Sequence, residues 1–424
     1  MLFTIKALSS RKLGVMKKWF IKHYYFLFAS VLLAAGIIIF LYFSFFLPKT
    51  FSFRGDMLQE YADKIYHQCT STSFPPSCYA QEVPKLMDSI SMEEAFEITK
   101  LIQEKDPRYL YCHVGAHYLA AKETAKDPAQ WKDVVARCPI TMCNNGCPHG
   151  ALMERFQAEN DFLSDKQIGE IKDDLKDVCE PRKKWNPIEV ERSMCYHGLG
   201  HLSMYITNAD LQKSIELCKE FGVKEDGRNY VQTCTEGVFM SVFQPLEPED
   251  FALVEGLTPS KNKISSFCSG YTGEAFDACR REAWVLFREE LRDPAGTAKF
   301  CSYTEDDIAQ KKCYATVMNF ITVSLLIEQE GFDELENFCR SLPETKTGFC
   351  FAEAARRLIQ IDPNYTNKAL SVCALAQNIN VGKECYRRLA EYGVWSFSPD
   401  SKSFLRYCEA LPYPWNKKCL EKEI

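Results

Sequence analysis

Length, composition and charge exclude several classes of protein. The chain has 424 residues, of which 46% are hydrophobic and 25% are charged, as in a folded rather than a disordered protein. Its 51 Lys and Arg stand against 57 Asp and Glu, which gives a net charge of −6. No basic cluster follows the N-terminal tail. We therefore expect no nucleic-acid partner, because binding to phosphates requires clustered cations.

The N-terminal region has the features of a membrane anchor. Residues 1–24 carry Lys and Arg but no Asp or Glu, and the next 22 residues, Tyr25–Phe46, carry no charge. An apolar helix of this length can cross a hydrocarbon layer of ~30 Å. The preceding cations predict that the N-terminus is cytoplasmic. No small-residue cleavage site follows the run, so we expect an uncleaved signal anchor over residues 25–47. The bulk of the chain would then be extracytoplasmic, at a cell surface, in a periplasm or in a lumen.

The cysteines favour the same location and reveal a repeat. All 20 follow the expected anchor, and an even number on the oxidising side of a membrane predicts a disulfide framework. From Cys268 onward, two series of cysteines each recur every 33 to 38 residues. A helix-like stretch follows each second cysteine, and a shorter one leads into the next first cysteine. This period is typical of stacked helix–turn–helix units.

Each unit is expected to hold one local disulfide that joins the end of one helix to the start of the next. The upstream cysteines follow the same rule with looser spacing. Cys112 and Cys143 remain after the local pairs are made, so we expect them to pair with each other. The expected bridges are Cys69–Cys78, Cys112–Cys143, Cys138–Cys147, Cys179–Cys195, Cys218–Cys234, Cys268–Cys279, Cys301–Cys313, Cys339–Cys350, Cys373–Cys385 and Cys408–Cys419.

The expected fold is all-α, with an N-terminal transmembrane helix followed by a disulfide-braced array of helical hairpins. The array would be either an open α-solenoid or a ring closed into an α/α toroid. Four regions are predicted: a cytoplasmic basic tail (1–24), the anchor (25–47), irregular helical repeats with clustered histidines (48–243) and regular repeats of about 35 residues (244–424).

Five of the seven histidines follow the second cysteine of three consecutive units. His113 and His117 are four residues apart, as are His197 and His201, so each pair shares one helix face and can bind one metal ion. His149 holds the equivalent place in the unit between them, and Glu236 holds it in the next unit. Neighbouring glycines indicate close approach of a backbone or ligand; they are Gly115, Gly150, Gly198, Gly200 and Gly237.

These donors predict a site for a divalent transition metal, namely zinc, copper or iron. The predicted ligands are His113, His117, His149, His197, His201 and Glu236. Two alternatives remain open at this point. The histidines could instead bind buried carbonyls at helix starts or lie on the surface. Separately, Cys138, Cys143, Cys147 and His149 are spaced densely enough for a zinc knuckle.

Two classes of function fit this pattern. The first is a membrane-anchored extracytoplasmic binding or scaffold protein with a His-rich metal site and a protein or peptide partner, since helical arrays bind partners along extended surfaces. The second is a metal-dependent extracytoplasmic enzyme, a hydrolase or oxidoreductase, in which Glu236 is the candidate base. No other catalytic residue is predicted, because the sequence carries no recognisable nucleophile or cofactor motif.

Overall fold

The computed structural model describes residues 54–106, 112–139, 142–157, 163–183, 185–246, 248–329, 331–399 and 401–424. The expected basic tail and anchor lie outside these residues. Among the residues it does describe, no helix is both long enough and apolar enough to cross a membrane. The chain divides into two compact units, residues 1–63 and 64–424, and the packing discussed below is that of the second unit.

The described residues form α-helices joined by short turns, and they contain no β-strand, which confirms the all-α class. Helix α1 covers residues 54–70. The following helices are α2 (Pro75–Glu82), α3 (Met92–Lys105), α4 (His113–Lys126), α5 (Trp131–Arg137), α6 (Gly146–Gln157), α7 (Asp165–Lys176), α8 (Glu189–Ile206), α9 (Leu211–Gly222), α10 (Val231–Phe243), α11 (Pro248–Leu253), α12 (Ile264–Cys268), α13 (Glu274–Glu282), α14 (Arg288–Leu291), α15 (Pro294–Phe300), α16 (Asp307–Thr322), α17 (Phe332–Ser341), α18 (Glu344–Ile361), α19 (Thr366–Gln377), α20 (Gly382–Ser396), α21 (Lys402–Ala410) and α22 (Trp415–Glu421).

Local sequence signals set several of these helix starts. Ser91 and Glu94 form a capping box, in which each side chain binds the other residue's backbone N–H, at the start of α3. Asp293 caps α15 by accepting a hydrogen bond from the N–H of Gly296, and Pro294 takes the first helical position. Asp293 and Pro294 therefore separate α14 from α15.

Two rows of helices make up the second unit. From Cys112 onward, the helices that contain or directly follow a second cysteine pack against one another in chain order, as α4, α6, α8, α10, α13, α16, α18, α20 and α22. We call these the inner row. The shorter helices pack on the flanks of this row, for example α9 on α8 and α10. The row runs without interruption from α10 to α13, across the expected division at residue 244.

Ten disulfides fix this arrangement, and their pairing is the one expected from the cysteine spacing. They are Cys69–Cys78, Cys112–Cys143, Cys138–Cys147, Cys179–Cys195, Cys218–Cys234, Cys268–Cys279, Cys301–Cys313, Cys339–Cys350, Cys373–Cys385 and Cys408–Cys419. Their Cα atoms lie 4.8–5.6 Å apart. No described cysteine is free. Bridges in this number indicate an oxidising, extracytoplasmic location.

Late helices also contact early ones. Helix α20 packs against α8, and α18 packs against the short turn Met142–Asn145 that precedes α6. The first and last thirds of the inner row are therefore in contact within residues 64–424. The helices of this row that carry the histidines, α4, α6 and α8, are held between their neighbours on both sides.

Candidate metal centre

Three neighbouring helices of the inner row bring the five repeat-positioned histidines together. Helix α4 supplies His113 and His117, α6 supplies His149, and α8 supplies His197 and His201. The ring of His149 lies between the other two sets. Its centroid is 5.0 and 5.4 Å from those of His113 and His117, and 5.6 and 4.8 Å from those of His197 and His201. Two imidazoles on one tetrahedral ion, at 2.0–2.1 Å from metal to nitrogen, have centroids about 5 Å apart.

Glycines permit this close packing of the helices. A Cβ atom on Gly150 would lie 2.2 Å from the carbonyl oxygen of His117, and one on Gly237 would lie 2.1 Å from that of His197. A Cβ atom on Gly200 would overlap the Cys234 carbonyl, and one on Gly198 would lie 2.7 Å from Cδ2 of His149. The glycines beside the histidines therefore serve close approach, as the sequence predicts. Gly115 is buried in the same region.

The pair on α4 has the form of a metal chelate. The Nε2 atoms of His113 and His117 are 2.9 Å apart. Nδ1 of His113 donates to the carbonyl oxygen of Cys143 at 3.3 Å, so the Nε2 atom of the same ring carries a lone pair. The Cys112–Cys143 bridge holds that carbonyl beside the start of α4. A ring nitrogen anchored to a carbonyl while the other faces inward is the usual arrangement of a metal-binding histidine.

The pair on α8 has a similar form. Nε2 of His201 is 3.2 Å from Nε2 of His197. Nδ1 of His201 lies 2.8 Å from Oγ of Ser241, whose hydroxyl donates to the carbonyl of Gly237, so Oγ accepts from His201. His197 hydrogen-bonds the backbone carbonyl of Thr233.

Since Nδ1 of His201 donates to Ser241, its Nε2 atom carries a lone pair that faces Nε2 of His197. Two nitrogens on one tetrahedral ion are about 3.3 Å apart, close to the observed separation. The hydrogen bond of His201 to Ser241 therefore gives the pair a lone pair and a spacing that suit one metal ion.

His149 is the most enclosed of the five. It is 2% exposed, and neither ring nitrogen has a hydrogen-bond partner among the described residues. Burial, and then the neighbouring histidines, hold the pKa of His149 well below 6.5, so its ring is neutral at physiological pH. A buried polar atom left without a partner costs about 1–3 kcal/mol. Both nitrogens of His149 therefore lack a partner that the described part of the chain could supply, as expected for a ring that binds an external ligand.

The five rings form two overlapping triads, His113–His117–His149 and His149–His197–His201. In each, one nitrogen per residue lies within 4.8 Å of the others. Burial, then the charge of neighbouring rings, also holds the pKa of His201 well below 6.5. The pKa of His197 is lowered by burial, although the carboxylate of Glu236 opposes the shift. Neutral imidazoles are the form that binds metal.

Glu236 is not part of either triad. Its carboxylate forms an ion pair with the guanidinium of Arg281, whose side chain is almost completely buried. The pairing has a clear physical reason, because a buried cation without a counter-charge would be strongly destabilising. The carboxylate influences His197 through its charge, and the structure does not place it as a ligand beside the rings.

The zinc-knuckle interpretation of Cys138, Cys143, Cys147 and His149 is wrong. Cys138 is bonded to Cys147 and Cys143 to Cys112, so none of the three sulfurs is a thiolate. A thiolate is the form of cysteine that binds zinc. The bridges instead position α6, and with it His149, against α4.

A cleft of about 240 Å³ opens beside the triads, with His113, His117, His149 and His201 on its wall. It is also lined by Tyr118, Met153, Glu154 and Tyr205, and by Glu249 and Asp250 on α11, among others. Sequence reasoning missed these residues and Ser241. The sequence spacing could have identified Tyr205, because it follows His201 by four residues and therefore lies on the same helix face as the His197–His201 pair.

The donor set decides which ions fit. Imidazole nitrogens suit zinc, copper, iron and nickel, whereas calcium and magnesium prefer oxygen ligands. Three nitrogen ligands per triad leave at least one position of a tetrahedral ion open. No protein-family model, curated protein or solved structure matches this chain.

Proposed function

We propose that this chain is a membrane-anchored, extracytoplasmic helical-repeat protein that binds a divalent transition metal through His113, His117, His149, His197 and His201. The observation that carries the proposal is the buried ring of His149, whose two nitrogens lack any partner among the described residues while lying between two histidine pairs. Zinc, copper or iron fits the nitrogen donors.

Location and shape form the second part of the proposal. The uncharged run over residues 25–47 would anchor the chain, with its N-terminus in the cytoplasm and the disulfide-braced array on the far side. Contacts of α20 with α8, and of α18 with Met142–Asn145, favour a closed toroid over an open solenoid for residues 64–424. Closure would enclose the metal centre within the wall of the array.

A protein or peptide partner is also part of the proposal. Leu246 and Phe251 are large, apolar and exposed; Leu246 lines the cleft, and Phe251 follows Glu249 and Asp250, which also line it. Exposed apolar side chains at the edge of a polar cleft are suited to contact with another chain.

The experiment that tests metal binding uses the full chain, purified in detergent with its disulfides intact. The protein is treated with a chelator and then reloaded with Zn²⁺ or Cu²⁺, and we expect the unaltered protein to bind the metal tightly. His67→Ala is the matched control and should bind equally well, because His67 is exposed and distant in sequence from the two histidine pairs. His197→Ala combined with His201→Ala should lose most of the affinity. Equal binding by this double variant, with unchanged helicity, would contradict the proposal.

A metal-dependent enzyme is the second candidate, and one observation favours it. Each triad supplies only three nitrogens, and four of the five rings line an open cleft that also holds Glu154, Tyr118 and Tyr205. A metal-bound water facing that cleft could act as a nucleophile, with Glu154 as base. The test is metal-dependent hydrolysis of an activated phosphate ester or metal-dependent oxidation of a phenol. Loss of this activity in Glu154→Gln, with the metal content unchanged, would support this candidate.

A further inference from the structure

Among the described histidines, His149 holds a unique position. It is the one member shared by the two triads, and its ring lies between the pair on α4 and the pair on α8. The two nitrogens of an imidazole point away from each other, so a single ion can bind only one of them. If one ion occupied the site, the other nitrogen of His149 would stay buried without a partner.

The ring of His149 turns one edge toward α8. The Cδ2–Nε2 edge of His149 faces Gly198, at 2.7 and 3.4 Å from the position of a Cβ atom there. Gly198 lies on α8, next to His197 and one turn before His201. The Nε2 side therefore faces the helix that carries the second pair, and Nδ1 is the ring atom opposite that edge.

We propose that the centre holds two metal ions bridged by the ring of His149. This inference rests on the proposed metal-binding function and adds the number of ions and the bridge. One ion is bound by His113, His117 and Nδ1 of His149, and the other by Nε2 of His149, His197 and His201. With metal–nitrogen bonds of 2.0–2.1 Å on either side of the ring, the ions lie about 6 Å apart.

The bridge requires the ring of His149 to lose its one N–H proton. A neutral imidazole has one N–H and one lone pair, so the first ion takes the lone pair. Binding of the second ion releases the remaining proton to solvent, and the ring becomes an imidazolate with a lone pair on each nitrogen. Two dications and one imidazolate leave a net positive charge. Glu154, Glu249 and Asp250 line the adjoining cleft, and Glu236 acts on His197, so acidic groups surround the centre.

Copper(II) is the probe that distinguishes the possibilities. The full chain in detergent is freed of metal with a chelator, loaded with excess Cu²⁺ and desalted. Copper is then measured by elemental analysis, and unpaired spins by electron paramagnetic resonance at low temperature. We expect two coppers per chain, with a spin count well below one per copper, because an imidazolate couples the two unpaired electrons. His67→Ala is expected to behave in the same way.

The other possible results contradict either the bridge alone or both the bridge and the metal-binding function. No bound copper would contradict both the metal-binding function and the bridge. One copper per chain would leave the function standing and overturn the bridge, as would two coppers with one spin each. In His149→Ala, the bound copper should give one spin per ion. Since the unaltered protein already decides the question, misfolding of this variant would not leave the bridge untested.

Discussion

Gly198 determines where the ring of His149 can lie. It sits on α8 with no side chain of its own, directly opposite the Cδ2 and Nε2 atoms of that ring. The ring has no hydrogen bond to hold it in place, so packing alone sets its orientation until a ligand binds. A glycine is therefore as important to the metal centre as a ligand, although it donates nothing.

We predict that Gly198→Ala weakens metal binding by roughly tenfold or more, the range seen when groups that orient metal ligands are lost. The new methyl group would lie 2.7 Å from Cδ2 of His149 and 3.2 Å from Cδ1 of Leu152, so the ring must move. Metal affinity is measured by titration against a chelator of known affinity. The matched control is Gly169→Ala on α7, where a Cβ atom meets nothing within 4 Å.

The control has an expected result of its own. Gly169→Ala should leave metal affinity unchanged and stabilise the protein by about 0.5–1 kcal/mol, because alanine loses less conformational freedom than glycine in a helix. If both variants bound metal as tightly as the unaltered chain, the position of the His149 ring would not depend on Gly198.

Glu282 is a second residue whose surroundings control its chemistry. Burial raises the pKa of its carboxyl group to about 8, although Arg281 opposes the shift. Its Oε2 atom accepts a hydrogen bond from Gln244 at 3.1 Å. A carboxyl with a raised pKa binds a proton in the folded chain that the unfolded chain has released. The folded state is therefore favoured at low pH, and this contribution is lost as pH rises from 4.5 to about 8.

We predict that Glu282→Gln flattens this part of the pH dependence of stability. Glutamine keeps a hydrogen-bonding side chain of the same shape but cannot ionise. Between pH 5 and pH 8, the free energy of unfolding of the variant should rise relative to that of the unaltered protein, by at most about 1.4 kcal/mol per pH unit. Thermal melting at several pH values measures the difference. The exposed Glu255, changed to Gln, is the control, and a constant difference would contradict the assignment.

At the scale of the element, each helix pair depends on the bridge between its helices. Cys373 of α19 and Cys385 of α20 are both fully buried, and their bridge spans 12 residues of sequence. The two helices also bury Ala369, Val372 and Leu389 in the C-terminal core. The bridge therefore adds a covalent constraint to a pair that already packs through apolar contacts.

Replacement of both Cys373 and Cys385 by alanine should lower the free energy of unfolding by about 3 kcal/mol, the chain-entropy value for a loop of this length. Denaturant unfolding measures the loss. Metal affinity should not change, because these helices carry none of the histidines. A loss of metal binding with folding intact would mean that the C-terminal helices support the centre directly, through the contact of α20 with α8.

At the scale of the whole molecule, the spacing of residues in the sequence predicts some features and leaves others undetermined. The cysteine pairing was predictable because neighbouring cysteines in a hairpin repeat meet across one loop. The two histidine pairs were predictable because residues four apart share a helix face. The ion pair of Glu236 with Arg281 was not, since it joins side chains 45 residues apart on helices whose rotation the sequence does not reveal. The cleft formed with α11, and the contact of α20 with α8, likewise depend on packing between distant segments.

The order of the cysteines has a consequence for how the protein matures. Nine bridges join consecutive or nearly consecutive cysteines, at separations of 9 to 16 residues, so each can close soon after its segment leaves the translocation channel. Cys112 is the exception, because Cys138 emerges before its partner, Cys143. Oxidation in strict order of synthesis would join Cys112 to Cys138 and displace the carbonyl that orients His113. We therefore expect a disulfide isomerase to act at this position, which makes assembly of the metal centre the step most sensitive to the redox machinery of its compartment.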